Sequence, residues 1–281
     1  MRLEIEHYTE YRYSHPVFLE PLTLRLRPRC DVSQTLDRYS IVMDPAPTGI
    51  GHCIDLDGNG TDTVWFNGVH ERLAITANAT IKTHRIDPFD FLVTDSAALT
   101  LPLVYDNRLR SALKHYLQRF QENPAVDMFA RTIQAEAGGN TVRFLTLLAE
   151  HIRGTFHYSV REYGEPWAPQ ETLERKSGAC RDFAMLYIDA CRCAGIAARF
   201  VSGYSYADAE TEHYLHAWVE AYLPGAGWRG FDPSEGLAVA DRHIALVTGR
   251  NAEDASPVFG LYRGDATPQL TTSVTITRLP D

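Results

Sequence analysis

Cys180 has the sequence surroundings of a nucleophilic cysteine. It follows Ser177, Gly178 and Ala179 and stands at the start of a segment with helical character. A thiolate attacks a carbonyl carbon, and a helix N-terminus lowers the pKa of a thiol because free N–H groups and aligned peptide dipoles stabilise the anion. The backbone N–H of Cys180 could also donate to an oxyanion. The alternative is a buried structural cysteine, which is what most cysteines in soluble proteins are.

His216 is the candidate base. It begins a segment of alternating residues that is typical of a strand, and a histidine can accept the thiol proton or form the imidazolium partner of a thiolate. We expect the apolar face of this strand to contact the core and the polar, aromatic face to look toward a cleft. An ordinary strand histidine is the alternative reading. The polar face carries His216, Trp218, Glu220 and Tyr222, and the apolar face carries Ala217, Val219, Ala221 and Leu223.

Asp232 is the candidate orienting carboxylate. The turn at residues 224–227 connects the His216 strand to the strand that ends at Asp232, so a hairpin returns the carboxylate toward the histidine. Simple counting, with Leu223 paired to Trp228, places Asp232 opposite Val219, roughly 10 Å along the strand from His216. A bulge, another register or a strong twist is needed to close that gap.

A metal site is the competing interpretation of the cysteines and histidines. The five cysteines are an odd number in a long chain, which favours free thiols over a disulfide scaffold. Two residues that are i and i+2 on a helix point in different directions, so two such sulfurs do not reach one ion. We therefore predict no metal and no other cofactor. The zinc set considered was Cys191, Cys193, His213 and His216.

The elements around these residues predict an α+β architecture. Alternating strands dominate the first hundred residues, which favours an antiparallel β-sandwich or a barrel-like module. From residue 105 the apolar spacing becomes helical, and the helix from about Cys180 to Ala194 precedes three strands at 196–204, 214–223 and 228–232. We expect a β module at 1–104, a catalytic core at 105–271, and a strand near 272–278 that returns to the first module.

Composition excludes several classes of protein. The chain has 281 residues, of which 44% are hydrophobic, and this average globular composition excludes disorder. A net charge of −9 without basic runs argues against nucleic acid as a partner. No apolar stretch is long enough for a membrane span or a signal core, so we expect a cytoplasmic protein without a membrane partner.

Three segments together resemble the transglutaminase-like superfamily, in its bacterial branch whose members are often called cysteine proteases. Similarity extends over residues 105–281, and the first hundred residues resemble the N-terminal module of that branch. The family usually has Thr or Ser two places after the aspartate, and Ser234 meets this pattern. The three segments are SGACRDFA at 177–184, HAWVE at 216–220 and GWRGFDPS at 227–234.

The resemblance implies a papain-like core with a catalytic triad. By this resemblance, Cys180 is the nucleophile, His216 the base and Asp232 the residue that orients the histidine. Relatives take a second oxyanion donor from a side chain upstream of the nucleophile, and the polar candidates here are Tyr158 and Gln170. We expect Trp218 and Tyr204 to line the substrate cleft, with a place in the core as the alternative for Trp218.

Three functions are compatible with these residues. The first is hydrolysis of an amide or peptide bond through a thioester between substrate and Cys180. The second is acyl transfer, in which an amine in place of water resolves the thioester. The third is a noncatalytic binding protein on the same fold, which the complete triad disfavours. No EF-hand-like acidic loop occurs, so calcium activation is not expected.

Overall fold

The computed structural model describes residues 1–119, 121–161, 164–207 and 213–280. Within them the chain forms sixteen strands and five α-helices, with one short 3-10 turn at Ser96–Leu99. The helices are α1 Asn107–Leu117, α2 Pro124–Glu136, α3 Thr141–Thr155, α4 Pro169–Arg175 and α5 Cys180–Cys193. The strands are β1 Arg2–Leu19, β2 Leu22–Leu24, β3 Gln34–Asp44, β4 Gly49–Ile54, β5 Gly60–Trp65, β6 His70–Thr83, β7 His157–Tyr158, β8 Ser177–Gly178, β9 Ala198–Ser205, β10 Leu215–Leu223, β11 Gly227–Asp232, β12 Leu237–Ala238, β13 His243–Gly249, β14 Val258–Phe259, β15 Tyr262–Arg263 and β16 Pro268–Leu279.

The N-terminal region forms two antiparallel sheets. In the larger sheet β1 lies between β6 and β16, β3 pairs with β6, and β15 pairs with the end of β1. The smaller sheet has the order β14-β2-β5-β4. Leu3 and Ile5 of β1 are buried while Arg2, Glu4 and Glu6 are exposed, which is the period-two pattern of a sheet with one wet face.

The last long strand ties the two ends of the chain together. Residues Pro268–Leu279 pair antiparallel with β1 over twelve positions, from Arg2↔Leu279 to Tyr13↔Pro268. The C-terminal strand therefore forms an edge of the N-terminal sheet beside β1, and β1 would lose one of its two long partners without it.

The five α-helices precede strands β9–β13 in the chain. Asn123 and Asn140 cap α2 and α3 through their side-chain oxygens, and Pro124 occupies the first turn of α2, where a missing N–H costs nothing. Helix α5 is buried on nearly all sides and contacts α2, α3 and α4 as well as strands β9 and β10. No helix in the described part of the chain is both long and apolar enough to cross a membrane.

A separate five-stranded sheet contains the two strands that were predicted to carry His216 and Asp232. Its order is β12-β11-β10-β9-β13, all antiparallel, and α5 packs against β10 and β9. A helix packed on an antiparallel sheet, preceded by a β-rich module, confirms the α+β fold class. Strand β13 was not predicted from the sequence, and all seven of its residues are buried.

The β10–β11 hairpin corrects the sequence-based register. Leu223 pairs with Gly227, not with Trp228, because the turn closes over only three residues and Gly225 and Gly227 have positive φ angles of 85° and 72°. The shift of one residue reverses the face on which each side chain lies. Continued by one position, the true register sets Asp232 beside Trp218 and on the same face as His216.

Candidate active site

Cys180 occupies the first position of helix α5, as the sequence predicted. Ala179 precedes it in an extended conformation, and strand β8 leads into it at Ser177–Gly178. A Cβ atom on Gly178 would lie 2.8 Å from Cβ of Asp182, so only glycine permits this close approach. The cysteine is 8% exposed and lines a cavity.

A buried ion pair braces the loop that carries Cys180. Asp182, which is fully buried, accepts a 2.7 Å hydrogen bond from the backbone N–H of Ala179 and ones of 2.6 and 2.7 Å from the guanidinium of Arg161. The backbone N–H of Trp167 donates to the same carboxylate at 2.8 Å. This ion pair was not predicted from the sequence. An acid at the third residue of a helix is a capping signal that could have pointed to it.

His216 and Asp232 are in direct contact. The Nε2 atom of His216 lies 2.6 Å from Oδ2 of Asp232, at the start of β10 and the end of β11. This contact closes the gap that the simple count had left open. Because Nε2 is committed to the carboxylate, Nδ1 is the nitrogen that remains to interact with the Cys180 thiol.

Asp232 is fully buried yet well supplied with donors. Its Oδ1 accepts from the N–H and hydroxyl of Ser234, at 2.9 and 2.7 Å, and from the N–H of Glu235 at 3.2 Å. His243 on β13 adds a contact of 3.1 Å to Oδ2. Burial raises the pKa of the Asp232 carboxyl, but His216 and His243 outweigh it and hold that pKa well below its usual range.

The same interactions favour an imidazolium–thiolate pair. Burial lowers the pKa of His216, but the charges and hydrogen bonds of Asp232 and Cys180 together outweigh burial and raise that pKa well above 6.5. Burial also raises the pKa of the Cys180 thiol, while His216 and the backbone N–H of Ala217 lower it below its ordinary value. By contrast, burial raises the pKa values of both Cys191 and Cys193. Cys180 therefore differs from the other two cysteines of α5 in the direction of its pKa shift.

Tyr158 lies near Cys180, and Gln170 does not. Strand β7 runs parallel to β8, with Tyr158 beside Gly178, and interaction with Cys180 helps burial to raise the pKa of the Tyr158 hydroxyl. The side chain of Gln170 is exposed on α4 and contacts Asn123 and Glu174 instead. Of the two candidates for a second oxyanion donor, only Tyr158 is near the sulfur.

A cavity of about 580 Å³ opens beside Cys180, and it is not lined by the two aromatic residues expected there. Trp218 is 1% exposed because Val201, Val239 and Ala245 cover its face of the sheet. Tyr204 is 2% exposed, and its hydroxyl is 2.8 Å from Nδ1 of His7. On the polar face of β10, Trp218 and Glu220 are therefore internal, whereas His216 lines the cavity. The residues that line the cavity are Gly164, Glu165, Pro166, Cys180, Arg181, Phe200, Ser202, Leu215, His216, Ala217, Ala252, Glu253, Ser256, Pro257 and Phe259.

Among the described residues, the four considered as zinc ligands do not form a cluster: Cys191, Cys193, His213 and His216. Cys191 is buried in the core and Cys193 is part-buried on the same helix. In the described ranges, one group of potential ligands does come together, with ligand atoms within 4.8 Å of one another: His216, Asp232, Glu235 and His243. The 2.6 Å between His216 and Asp232 is a hydrogen-bond distance, whereas two ligands on a tetrahedral zinc lie roughly 3.3 Å apart. The group is arranged as a hydrogen-bond network.

Family models match both halves of the chain. Residues 3–82 match the bacterial transglutaminase-like N-terminal region, and residues 127–233 match the transglutaminase-like superfamily. The second match contains Cys180, His216 and Asp232.

Whole-chain relatives are uncharacterized proteins of mycobacteria. The protein ML0607 of Mycobacterium leprae is 25% identical over 99% of this chain and 99% of its own length. The protein Rv2569c of Mycobacterium tuberculosis is 28% identical over 92% of this chain and 87% of its own length. Among solved structures, a "putative cysteine protease" from Cytophaga hutchinsonii shares the fold with a TM-score of 0.73, at 22% identity, over 100% of this chain and 91% of that one.

Proposed function

Because this chain belongs to the transglutaminase-like superfamily, we propose that it is a thiol-dependent hydrolase of amide or peptide bonds that acts through Cys180, His216 and Asp232. The observation that carries the proposal is the hydrogen bond of 2.6 Å between His216 and Asp232 beside a cysteine whose pKa is lowered by that histidine. An imidazole held by a carboxylate and paired with a thiol is the arrangement that nucleophilic catalysis by cysteine requires.

The first half of the reaction forms a thioester. The Cys180 thiolate attacks the carbonyl carbon of the amide, and the carbonyl oxygen becomes an oxyanion. The backbone N–H of Cys180 and the hydroxyl of Tyr158 stabilise that charge. His216 then gives its proton to the nitrogen of the leaving amine, the C–N bond breaks, and the acyl group stays on sulfur.

The second half regenerates the thiolate–imidazolium pair. His216, now neutral, accepts a proton from a water molecule, and the resulting hydroxide attacks the thioester carbonyl. The C–S bond breaks, the acid is released, and the thiolate recovers its imidazolium partner. An amine in place of water would give acyl transfer by the same steps.

The cavity supports a peptide-like substrate. Its volume of about 580 Å³ lies in the usual range for ligand sites. Leu215 and Phe259 offer half-exposed apolar surface to it, and Ser202 and Ala217 also line it. We propose a peptide or another amide-containing molecule as the substrate. We also propose that the protein is cytoplasmic, where its cysteines would remain free thiols.

A library of peptide and isopeptide amides tests the proposal, with mass spectrometry of products in the presence and absence of an added primary amine. Release of acid in both conditions supports hydrolysis, and a new amide in the amine arm reassigns the protein to acyl transfer. Cys180→Ala should abolish turnover, while Cys191→Ala serves as the matched control on the same helix. An electrophilic inhibitor that labels Cys191 or Cys193 in place of Cys180 would contradict the proposal.

A further inference from the structure

A second histidine shares the carboxylate of the candidate triad. His243 lies on β13, its side chain is fully buried, and its Nε2 is 3.1 Å from Oδ2 of Asp232. The Nε2 atom of His216 is 2.6 Å from that same oxygen. Two imidazoles thus converge on one carboxylate oxygen.

The direction of the second contact follows from the charge of Asp232. The pKa of that carboxyl is held well below its usual range, so the oxygen accepts and His243 must carry a hydrogen on Nε2. Its Nδ1 is buried and has no hydrogen-bond partner among the described residues. The ring is held edge-on to Trp218, with centroids 5.3 Å apart, which fixes the orientation of Nε2 toward the carboxylate.

We propose that His243 is a positioning residue that occupies part of the hydrogen-bonding capacity of Asp232 and thereby limits how strongly Asp232 stabilises the His216 imidazolium. The inference rests on the proposed function, because it concerns the pair formed by Cys180 and His216. It assigns a role to a residue that lies outside the three sequence segments of the triad.

The remaining contacts of Asp232 explain why loss of the His243 hydrogen bond would change how strongly Asp232 stabilises the His216 imidazolium, but would not change the orientation of Asp232. Ser234 and Glu235 hold Oδ1 through three hydrogen bonds, so Asp232 keeps its orientation when His243 no longer donates. The other charged groups near His243 are Glu235, which lies in the same cluster, and Arg242, which is paired with Glu235. Neither takes the place of the lost donor on Oδ2, because Glu235 is itself an acceptor and Arg242 is committed to it.

The test is the rate of Cys180 alkylation by iodoacetamide as a function of pH. An imidazolium–thiolate pair gives a plateau that begins when Cys180 ionises and ends when His216 loses its proton. In His243→Phe, which keeps a ring but removes the donor, Asp232 serves His216 alone, and the upper end of the plateau should move up by roughly 1 pH unit. His243→Gln restores a donor and should return the plateau close to that of the wild-type protein.

His7→Phe is the matched control, because His7 is another buried histidine and contacts Tyr204 instead of Asp232. It should leave the plateau in place. A plateau in His243→Phe that is unchanged or narrower would overturn the inference while leaving the triad intact. Absence of any plateau in the wild-type protein would overturn both.

A measurement on the wild-type protein covers the case in which His243→Phe does not fold. Ring ¹⁵N chemical shifts distinguish the two tautomers of histidine, and the inference requires hydrogen on Nε2 of His243. Hydrogen on Nδ1 alone would refute it, since His243 could then not donate to Asp232.

Discussion

Arg29, in the loop between β2 and β3, binds both carboxylate oxygens of Glu220 on β10, at 2.8 and 3.2 Å. Arg199, on the neighbouring strand, binds the same carboxylate at 2.7 Å and lies over the ring of Trp228. All three charged side chains are largely buried. The ion pair between Arg29 and Glu220 therefore joins the N-terminal module to the sheet that carries His216 and Asp232.

Glu220→Gln should destabilise the protein by about 3 kcal/mol at pH 7, because two buried guanidinium groups lose their counter-charge. Burial raises the pKa of Glu220, but Arg29 and Arg199 lower it far below 4.5. A carboxyl whose pKa is depressed on folding stabilises above the unfolded-state pKa, and this contribution is lost as the pH falls toward the folded-state pKa. The difference between wild type and Glu220→Gln should therefore shrink below about pH 4.5.

Urea unfolding at pH 7, 5 and 3.5 measures this difference. Glu4→Gln is a suitable control because Glu4 is an exposed acid on β1. An equal loss of stability at all three pH values would show that the Glu220 charge contributes nothing beyond its hydrogen bonds.

Residues 101–281 expressed alone should aggregate. In that fragment β16 loses the twelve paired positions of β1, and Glu220 loses Arg29. An unpaired long strand is a template for association with other chains. Size-exclusion chromatography and thermal melting of the fragment beside the full chain test this. A soluble fragment with a cooperative transition would show that the N-terminal module is dispensable for folding.

Asp232→Asn should slow catalysis by roughly 10³- to 10⁴-fold, since an amide keeps the shape of the carboxylate but not its charge. Without that charge the pKa of His216 falls and the pKa of Cys180 rises. Alkylation of Cys180 near pH 6 should consequently become slower than in the wild-type protein. Coincident alkylation profiles for the two proteins would exclude Asp232 as the orienting residue.

Tyr158→Phe should lower kcat by roughly 10²-fold with little change in KM, because an oxyanion donor acts mainly in the transition state. Gln170→Ala is the comparison variant, and we expect nearly full activity because Gln170 contacts Asn123 and Glu174. Steady-state kinetics on the best amide from the library decides between them. Equal losses in both variants, or a loss with Gln170→Ala alone, would remove Tyr158 from the oxyanion site.

Short-range patterns were sufficient to predict the elements that carry the site. The alternation after His216, the turn before Trp228 and the small residues before Cys180 each reflect local geometry, and β10, β11 and α5 lie where these patterns placed them. The hairpin register escaped prediction because it depends on whether the turn has three or four residues. That choice is made by positive φ angles at Gly225 and Gly227, and glycine permits either outcome.

What the sequence by itself determined about this protein is its family, its fold class and the residue types able to form a triad, because each follows from periodicity and from motifs of a few adjacent residues. Only the tertiary structure decided which side chains meet. It buried Trp218 and Tyr204, set Tyr158 against Cys180, and brought His243 to Asp232 across eleven positions of the chain. Such contacts depend on the pairing of β13 with β9 and of β7 with β8, and pairing between strands that are distant in the chain leaves no periodic trace in either strand.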